Sequence, residues 1–171
     1  PGGVNQVVGN LYDRLAARPG LRPWVLVKAW QPAGGPGRTD GRRTLRMRLR
    51  DPFPAAGGWK ARLLAWLTLP QRTLGLGWWL RRRRVAAVNA HYPGLWLLPV
   101  ALAGWLGVWR GRLVLSVHGQ DLREARQWTG ARRWWWVWLC RRASAIAACS
   151  EALAEEVRAD LPGLAERDQA V

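Results

Sequence analysis

Short apolar runs alternate along the chain with longer segments in which apolar residues recur at helical spacing. The apolar runs predict strands over residues 23–30, 85–90, 113–117 and 145–149. The helical spacing predicts helices over residues 4–18, 95–106, 128–142 and 151–160. Strands that alternate with helices are typical of a parallel sheet with crossover helices. The pattern therefore predicts an α/β fold.

Four segments depart from this regular alternation. Residues 31–41 are rich in Gly and Pro and predict a loop, whereas residues 168–171 have the pattern of an entry to a further strand. Over residues 45–50 leucine or methionine alternates with arginine, and this apolar face opposite a basic face predicts an edge strand. Residues 59–80 predict a broken helical region, because three residues interrupt the helical spacing: Pro70, Gly75 and Gly77.

Positive charge is concentrated in the first part of the 171-residue chain. Residues 1–120 carry 19 basic and 3 acidic residues and residues 121–171 carry 8 of each, so the net charge of +16 lies before residue 121. No carboxylate occurs between Asp51 and Asp121, and that stretch would attract anionic lipid, nucleic acid or phosphorylated ligands. The basic residues are 25 Arg and 2 Lys, so an alternative origin of the charge is the GC-rich coding DNA of a high-GC bacterium.

Three features of the sequence bear on the cellular compartment of the protein. The two cysteines, Cys140 and Cys149, are too few for a disulfide scaffold and fit a reducing cytoplasm. The first residues lack the charged and apolar regions of a signal peptide. Residues 95–109 are uncharged for fifteen positions, whereas a membrane-spanning helix needs about 20 apolar residues. We therefore expect a cytoplasmic protein without a transmembrane helix.

Rare polar residues follow three of the predicted strands. His91 closes the run at 85–90, His118 closes the run at 113–117, and Ser150 follows the run at 145–149. In open parallel sheets, ligands bind outside the carboxyl ends of the strands. We therefore expect these residues to line one crevice, together with Gly119 and Asp121 of the loop that follows His118.

Each of these residues has a functional and a structural interpretation. His118 is the candidate catalytic residue, because a titratable ring beside a glycine that admits a ligand suits acid–base or sugar-hydroxyl contacts. His91 is either a cleft residue or a hydrogen-bonded loop residue. Asp121 and Ser150 are either cleft residues or the N-caps of the helices that follow them.

A glycine pair, Gly2-Gly3, stands directly before the first predicted helix. It is either a plain turn or a phosphate cradle, since bare backbone amides at a helix start can bind an anion. The spacings of a metal site, a Gly-x-Ser-x-Gly nucleophile elbow and a P-loop are all missing from the sequence.

Four segments together resemble the N-terminal domain of the glycosyltransferase family 4 type enzymes. They are Gly2-Gly3-Val4 with the helix at 11–16, the VNAHYP of residues 88–93, the VHGQD of residues 117–121 and the ASAIAACSEAL of residues 143–153. The resemblance covers nearly the whole chain in the correct order and spacing, and it is weakest over residues 31–80. It implies a Rossmann-like parallel sheet with helices on both faces, one of two such domains facing each other across a cleft.

The resemblance also implies a function. Such enzymes move a sugar from a nucleotide-sugar to an acceptor with retention, and they usually need no metal or other cofactor. It implies that Gly2 and Gly3 approach the donor diphosphate, that His118 contacts the transferred sugar, and that His91 and Ser150 line the cleft. Residues 1–171 would be the acceptor-side domain without its first strand and without the donor-binding domain, so we expect no transfer by this chain alone.

A membrane surface is a further implied partner, because many such enzymes glycosylate lipid-linked acceptors at the cytoplasmic membrane face. Interfacial tryptophans followed by lipid-attracted arginines would contact an anionic surface here: Trp78, Trp79, Arg81, Arg82, Arg83 and Arg84. The alternative is a set of core tryptophans beside a solvated arginine run. Two other classes stay open, a noncatalytic acceptor- or membrane-binding module and a nonspecific nucleic-acid binder. No motif for specific nucleic-acid recognition accompanies the charge.

Overall fold

The computed structural model describes residues 3–28, 36–39, 41–53 and 58–161. The chain divides into two compact units, residues 1–49 and residues 50–171. The predicted strand entry at 168–171 lies outside the described residues.

The first unit contains one helix and a small mixed sheet. Its elements are α1 (Gly3–Ala16), β1 (Val25–Lys28), β2 (Pro36–Thr39) and β3 (Arg42–Met47). Strand β3 lies between the other two, parallel to β1 and antiparallel to β2. Arg42 connects this strand to the helix, because its Nη2 atom lies 2.7 Å from Oδ2 of Asp13. The hydrogen bond from Arg42 lowers the pKa of the Asp13 carboxyl.

Two sequence predictions for this unit are wrong. The strand with alternating arginines is not an edge strand, because β3 has a partner on each side. The predicted loop at 31–41 contains β2, which pairs with β3 from Thr39 opposite Arg42. Gly41 has a φ of +76°, a conformation that glycine adopts without steric cost. The Asp40-Gly41 dipeptide is a hairpin signal that the loop prediction overlooked.

The second unit contains a parallel sheet with helical crossovers. In chain order its elements are α2 (Gly58–Arg82), β4 (Ala87–His91), a single 3-10 turn (Leu95–Leu97), α3 (Leu98–Trp105), β5 (Arg112–Val117), α4 (Gln120–Arg126), α5 (Gly130–Arg142), β6 (Ala145–Ala148) and α6 (Glu151–Asp160). The strand order is β4-β5-β6, and both strand pairs are parallel. The predicted α/β class and the alternation of strands and helices are confirmed.

The core of the second unit forms around β5, the middle strand. Leu113, Leu115 and Val117 of β5 are buried, as are Trp136 and Leu139 of α5. Helix α3 contacts α2, α5 and β5. Burial of these side chains is the main stabilising term, at roughly 1.5–3 kcal/mol for each large apolar group. The core therefore fixes the position of the carboxyl end of β5.

Helix α2 is continuous over Gly58–Arg82, so the prediction of a broken helical region is wrong. Pro70 is on the exposed side of the helix. Gly77 lies against the next helix: a Cβ atom there would be 2.8 Å from Cβ of Ala103 and 2.9 Å from Cγ1 of Val108. The glycine therefore permits close packing of α2 on α3, which outweighs its low helix propensity of about 1 kcal/mol. None of the helices in the described ranges is both long enough and apolar enough to span a membrane.

Candidate functional site

The candidate site lies at the carboxyl edge of the sheet in the second unit. His91 is the last residue of β4 and pairs in register with Ser116 of β5, and His118 follows the end of β5. Because the strands are parallel, their carboxyl ends meet at one edge. The structure thus brings together the two histidines that the sequence placed 27 residues apart.

The two histidine rings are in direct contact. Nδ1 of His91 lies 3.1 Å from Nε2 of His118, and the ring centroids are 5.4 Å apart at an interplanar angle of 34°. Two neutral imidazoles can form this hydrogen bond only when one nitrogen carries the proton and the other accepts it. The contact therefore couples the tautomer of His118 to that of His91.

His91 stays neutral more readily than a free histidine. Burial lowers its pKa below the ordinary value of 6.5, and the neighbouring His118 lowers it further. Its Nε2 atom is buried and has no hydrogen-bond partner within the described part of the chain. A buried N–H donor without a partner is rarer than an unpaired acceptor. We therefore assign the proton of His91 to Nδ1, which donates to Nε2 of His118 and leaves the His118 proton on Nδ1.

Tyr92 packs on His118, and the sequence analysis missed this residue. Its ring centroid lies 4.5 Å from that of His118, with an interplanar angle of 33°. Its φ is +50°, a strained value for a residue with a side chain. Strained backbone is common at functional sites, where surrounding contacts hold it in place. The position directly after His91 and before Pro93 was the available signal.

Asp121 holds the loop that carries His118. Its side chain is buried, and its Oδ1 accepts a hydrogen bond from the backbone N–H of His118 at 3.0 Å. Gly119 has a φ of +92°, which an L side chain rarely adopts, and it precedes the first turn of α4. The N-cap interpretation of Asp121 is wrong, because α4 begins at Gln120 and Gly119 is its N-cap. The Asp121 carboxylate instead positions the backbone at the end of β5, and a cleft role for Asp121 stays a prediction.

Ser150 has the geometry of an N-cap. It precedes α6, and its hydroxyl accepts a hydrogen bond from the backbone N–H of Leu153 at 3.3 Å. Side-chain capping of this kind contributes about 1 kcal/mol. A cleft role for Ser150 stays a prediction. A second hydroxyl, that of Ser116, donates to Oδ1 of Asn89 at 2.8 Å and links β4 with β5 beside the histidines.

The predicted phosphate cradle begins outside the described residues. Gly2 lies outside the described residues, and Gly3 is the first residue of α1 in the first unit. Contact of Gly2 and Gly3 with a donor diphosphate stays a prediction.

The predicted membrane residues lie at the other edge of the sheet. Helix α2 ends at Arg82 and leads into the amino end of β4, whereas the histidines follow the carboxyl ends. Trp78 is exposed, and the Arg82 guanidinium lies over its ring at 4.2 Å from the centroid. Trp79 is half-buried, with Arg83 near its ring. Contact of these residues with a membrane surface stays a prediction, which the exposure of Trp78 permits.

Among the residues that the structure describes, no three His, Cys, Asp or Glu side chains form a group that could hold a metal ion. Cys140 is buried and Cys149 is exposed. Burial raises the pKa of the Cys140 thiol, which therefore stays protonated at neutral pH.

A family model described as Glycosyltransferase Family 4 matches residues 1–167, almost the whole chain. The chain belongs to glycosyltransferase family 4. No curated protein and no solved structure matches it. Membership confirms the sequence-based family assignment and supports a glycosyltransferase function, with a sugar donor and an acceptor as partners. In this glycosyltransferase family 4 domain, the histidine pair at the carboxyl edge is the candidate group for acid–base or sugar-hydroxyl contacts.

Proposed function

We propose that this chain is the acceptor-side domain of an enzyme that transfers a sugar from a nucleotide-sugar donor, with retention of anomeric configuration. The observation that supports the proposal is the hydrogen-bonded pair His91–His118 at the carboxyl ends of β4 and β5. A neutral ring held at a strand end can contact a sugar hydroxyl as a donor or an acceptor. The proposal includes no metal ion and no further cofactor.

In this proposal His118 contacts the transferred sugar, and its neighbours position it. With Nε2 engaged by His91, the free ring nitrogen of His118 is an N–H donor. Tyr92 packs against the ring at 4.5 Å between centroids, and Asp121 holds the backbone N–H of the same residue at 3.0 Å. Two contacts thus restrict the His118 ring and a third holds its backbone, which lowers the entropy lost when a substrate is bound.

The test uses the protein expressed from the complete reading frame that encodes these residues. UDP-glucose, UDP-N-acetylglucosamine and GDP-mannose, each radiolabelled, are incubated with a bacterial lipid extract, and labelled product is measured. We expect label transfer from one of these donors, a product anomer that matches the donor, and no effect of a chelator. We expect His118→Ala to lower the rate by about 100-fold or more.

Arg158→Gln is the matched control, because Arg158 is exposed and, among the described residues, forms its ion pair with Glu151 of its own helix. The control should keep the full rate. A His118→Ala protein that folds normally and transfers sugar at the full rate would contradict the proposed role of His118. Failure of all donors with a well-folded wild-type protein would favour the noncatalytic binding module.

We also propose that α2 binds an anionic membrane surface, which would place the protein at the inner face of the cell membrane and give access to a lipid-linked acceptor. The specific observation is an exposed apolar stripe on α2. Its members are spaced four, four, seven and four residues apart: Trp59, Leu63, Leu67, Leu74 and Trp78. Trp59 and Leu67 are 70% and 68% exposed. Residues at this spacing share one helical face.

The opposite face of α2 is also apolar, but it is buried against the core through Leu69, Leu76 and Leu80. The exposed stripe therefore is not needed for packing within the described part of the unit. Lys60 and the four arginines at 81–84 stand at the two ends of the helix, and no carboxylate occurs between Asp51 and Asp121. A helix with an apolar stripe and flanking cations suits the plane of an anionic bilayer interface. Each cation contributes about 1 kcal/mol near such a surface.

A further inference from the structure

A cavity lies at the amino edge of the sheet, away from the histidine pair. It has a volume of about 270 Å³ and is formed by α3, the connection to β5, the start of β5 and the end of α5. Its apolar wall consists of Val100, Ala101, Trp109 and Leu113. At about 30 Å³ for each water molecule, such a volume corresponds to roughly nine waters. The cavity can therefore hold a small organic group.

One wall of this cavity is rigid. Trp109 is 2% exposed, and its indole N–H donates to the backbone carbonyl of Val85 at 2.7 Å. Gly111 lies against the same ring, and a Cβ atom there would be 2.3 Å from a carbon of the Trp109 side chain. The glycine is therefore needed for the indole to occupy its place beside the cavity.

Two arginines, Arg110 and Arg142, also line the cavity. Neither guanidinium group forms an ion pair or a hydrogen bond with a residue in the described ranges. The Arg142 guanidinium is instead held by two rings, at 5.5 Å from the centroid of Trp138 and 6.0 Å from that of Trp105. These stacking contacts leave the edges of the guanidinium available to a ligand.

The positive charge of Arg110 and Arg142 is not balanced by an acidic residue in the cavity lining. No carboxylate is among the lining residues, and Ser144 is the one hydroxyl among them. Two guanidinium groups that line one cavity without a carboxylate attract an anion to it. Guanidinium forks bind phosphate with two parallel hydrogen bonds, and the apolar wall suits an alkyl substituent.

We propose that this cavity binds the phosphate group of an alkyl phosphate ester, with Arg110 and Arg142 on the phosphate and the alkyl part against Trp109 and Leu113. The site is independent of the proposed sugar transfer, since it lies at the other edge of the sheet and shares no residue with the histidine pair. Either a free phosphate ester or a phospholipid headgroup has this chemistry.

The test is isothermal titration calorimetry of the full chain with hexyl phosphate. We expect one equivalent to bind, with inorganic phosphate and 1-hexanol binding at least tenfold more weakly, because each lacks one half of the ligand. Arg142→Gln should weaken hexyl phosphate binding by about tenfold or more. Gly104→Leu should weaken it too, because this variant fills the cavity without removing a cation; a Cβ atom at Gly104 lies 4.0 Å from the Trp109 ring.

Arg18→Gln is the control for nonspecific attraction to a chain of net charge +16, since it removes one exposed cation outside the cavity. It should leave binding unchanged. Equal hexyl phosphate affinity in the wild type, Arg142→Gln and Gly104→Leu proteins would overturn the proposal, as would 1-hexanol binding as tightly as hexyl phosphate. Competition by glycerol 3-phosphate identifies a free ester as the occupant, and competition by vesicles with phosphatidic acid identifies a lipid headgroup.

Discussion

Nδ1 of His91 lies 3.1 Å from Nε2 of His118, although 27 positions separate the two residues in the sequence. The contact exists because β4 and β5 are adjacent and parallel, so that the residues at their carboxyl ends meet. It places the two histidines of the chain side by side, and the nearby His118 contributes to the lowered pKa of His91.

The pH dependence of folding should report the burial of His91. Its pKa in the folded protein is below the ordinary value of 6.5, so the unfolded chain takes up this proton first as the pH falls. The free energy of unfolding should therefore decrease as the pH drops through the region below 6.5, and be fully retained above it. Urea denaturation at a series of pH values between 7.5 and 5 measures the slope of the free energy of unfolding against pH.

The matched variant is His91→Gln, which keeps a polar side chain that cannot titrate. We expect its slope over the same pH range to be smaller than that of the wild-type protein. Identical slopes in the two proteins would show that His91 titrates alike in the folded and unfolded chains.

The close approach of α2 to α3 predicts opposite effects of alanine at two neighbouring glycines. Gly77→Ala places a Cβ atom 2.8 Å from Cβ of Ala103 and should lower the free energy of unfolding by about 1–3 kcal/mol. A Cβ atom at Gly75 meets nothing within 4 Å, so Gly75→Ala should raise it by about 0.5–1 kcal/mol. Chemical denaturation measures both changes. Equal effects of the two substitutions would contradict the packing described for α2.

The hydrogen bond from the backbone N–H of Leu153 to Ser150 predicts a stability role for this serine. Ser150→Ala should lower the free energy of unfolding by about 1 kcal/mol, because the first turn of α6 loses its cap. Ser144→Ala, at an exposed serine before β6, is the control and should have little effect. A Ser150→Ala protein of unchanged stability but reduced sugar transfer would instead support a role in the cleft.

The exposed stripe of α2 predicts that vesicle binding depends on apolar side chains as well as on charge. Leu67→Gln should weaken binding to phosphatidylglycerol vesicles by roughly tenfold, because a 68% exposed leucine would no longer enter the interface. Replacement of Arg81–Arg84 by serine should weaken it further, and phosphatidylcholine vesicles should bind poorly. Sedimentation with vesicles measures the bound fraction.

Leu21→Gln is the control, because Leu21 is 47% exposed and lies outside α2. It should bind vesicles as the wild-type protein does. The membrane proposal fails if Leu67→Gln and the serine replacement both leave the bound fraction unchanged. Loss of self-association in the Leu67→Gln protein, without loss of vesicle binding, would instead identify the stripe as a contact between copies.

Local sequence predicted the regular elements of the second unit, and its limits are visible in particular residues. Helix α6 has the bounds that its apolar spacing predicts, because Ser150 at its start is a local capping signal. The predicted break in α2 is wrong, since Gly77 serves a contact with Ala103 and Val108 that no local pattern reveals. The edge position predicted for β3 is wrong for the same reason, because strand neighbours are set by pairing with distant segments.

The sequence by itself determined the α/β alternation, the polar residues at the strand ends and the segments that identify glycosyltransferase family 4, since periodicity, capping and motif are local properties of the chain. Only the tertiary structure decided that His91 bonds to His118, that Tyr92 packs on His118 and that the buried Asp121 carboxylate accepts from the His118 backbone. It also decided which face of α2 is covered. These features depend on strand order and helix packing, which bring together residues far apart in the chain.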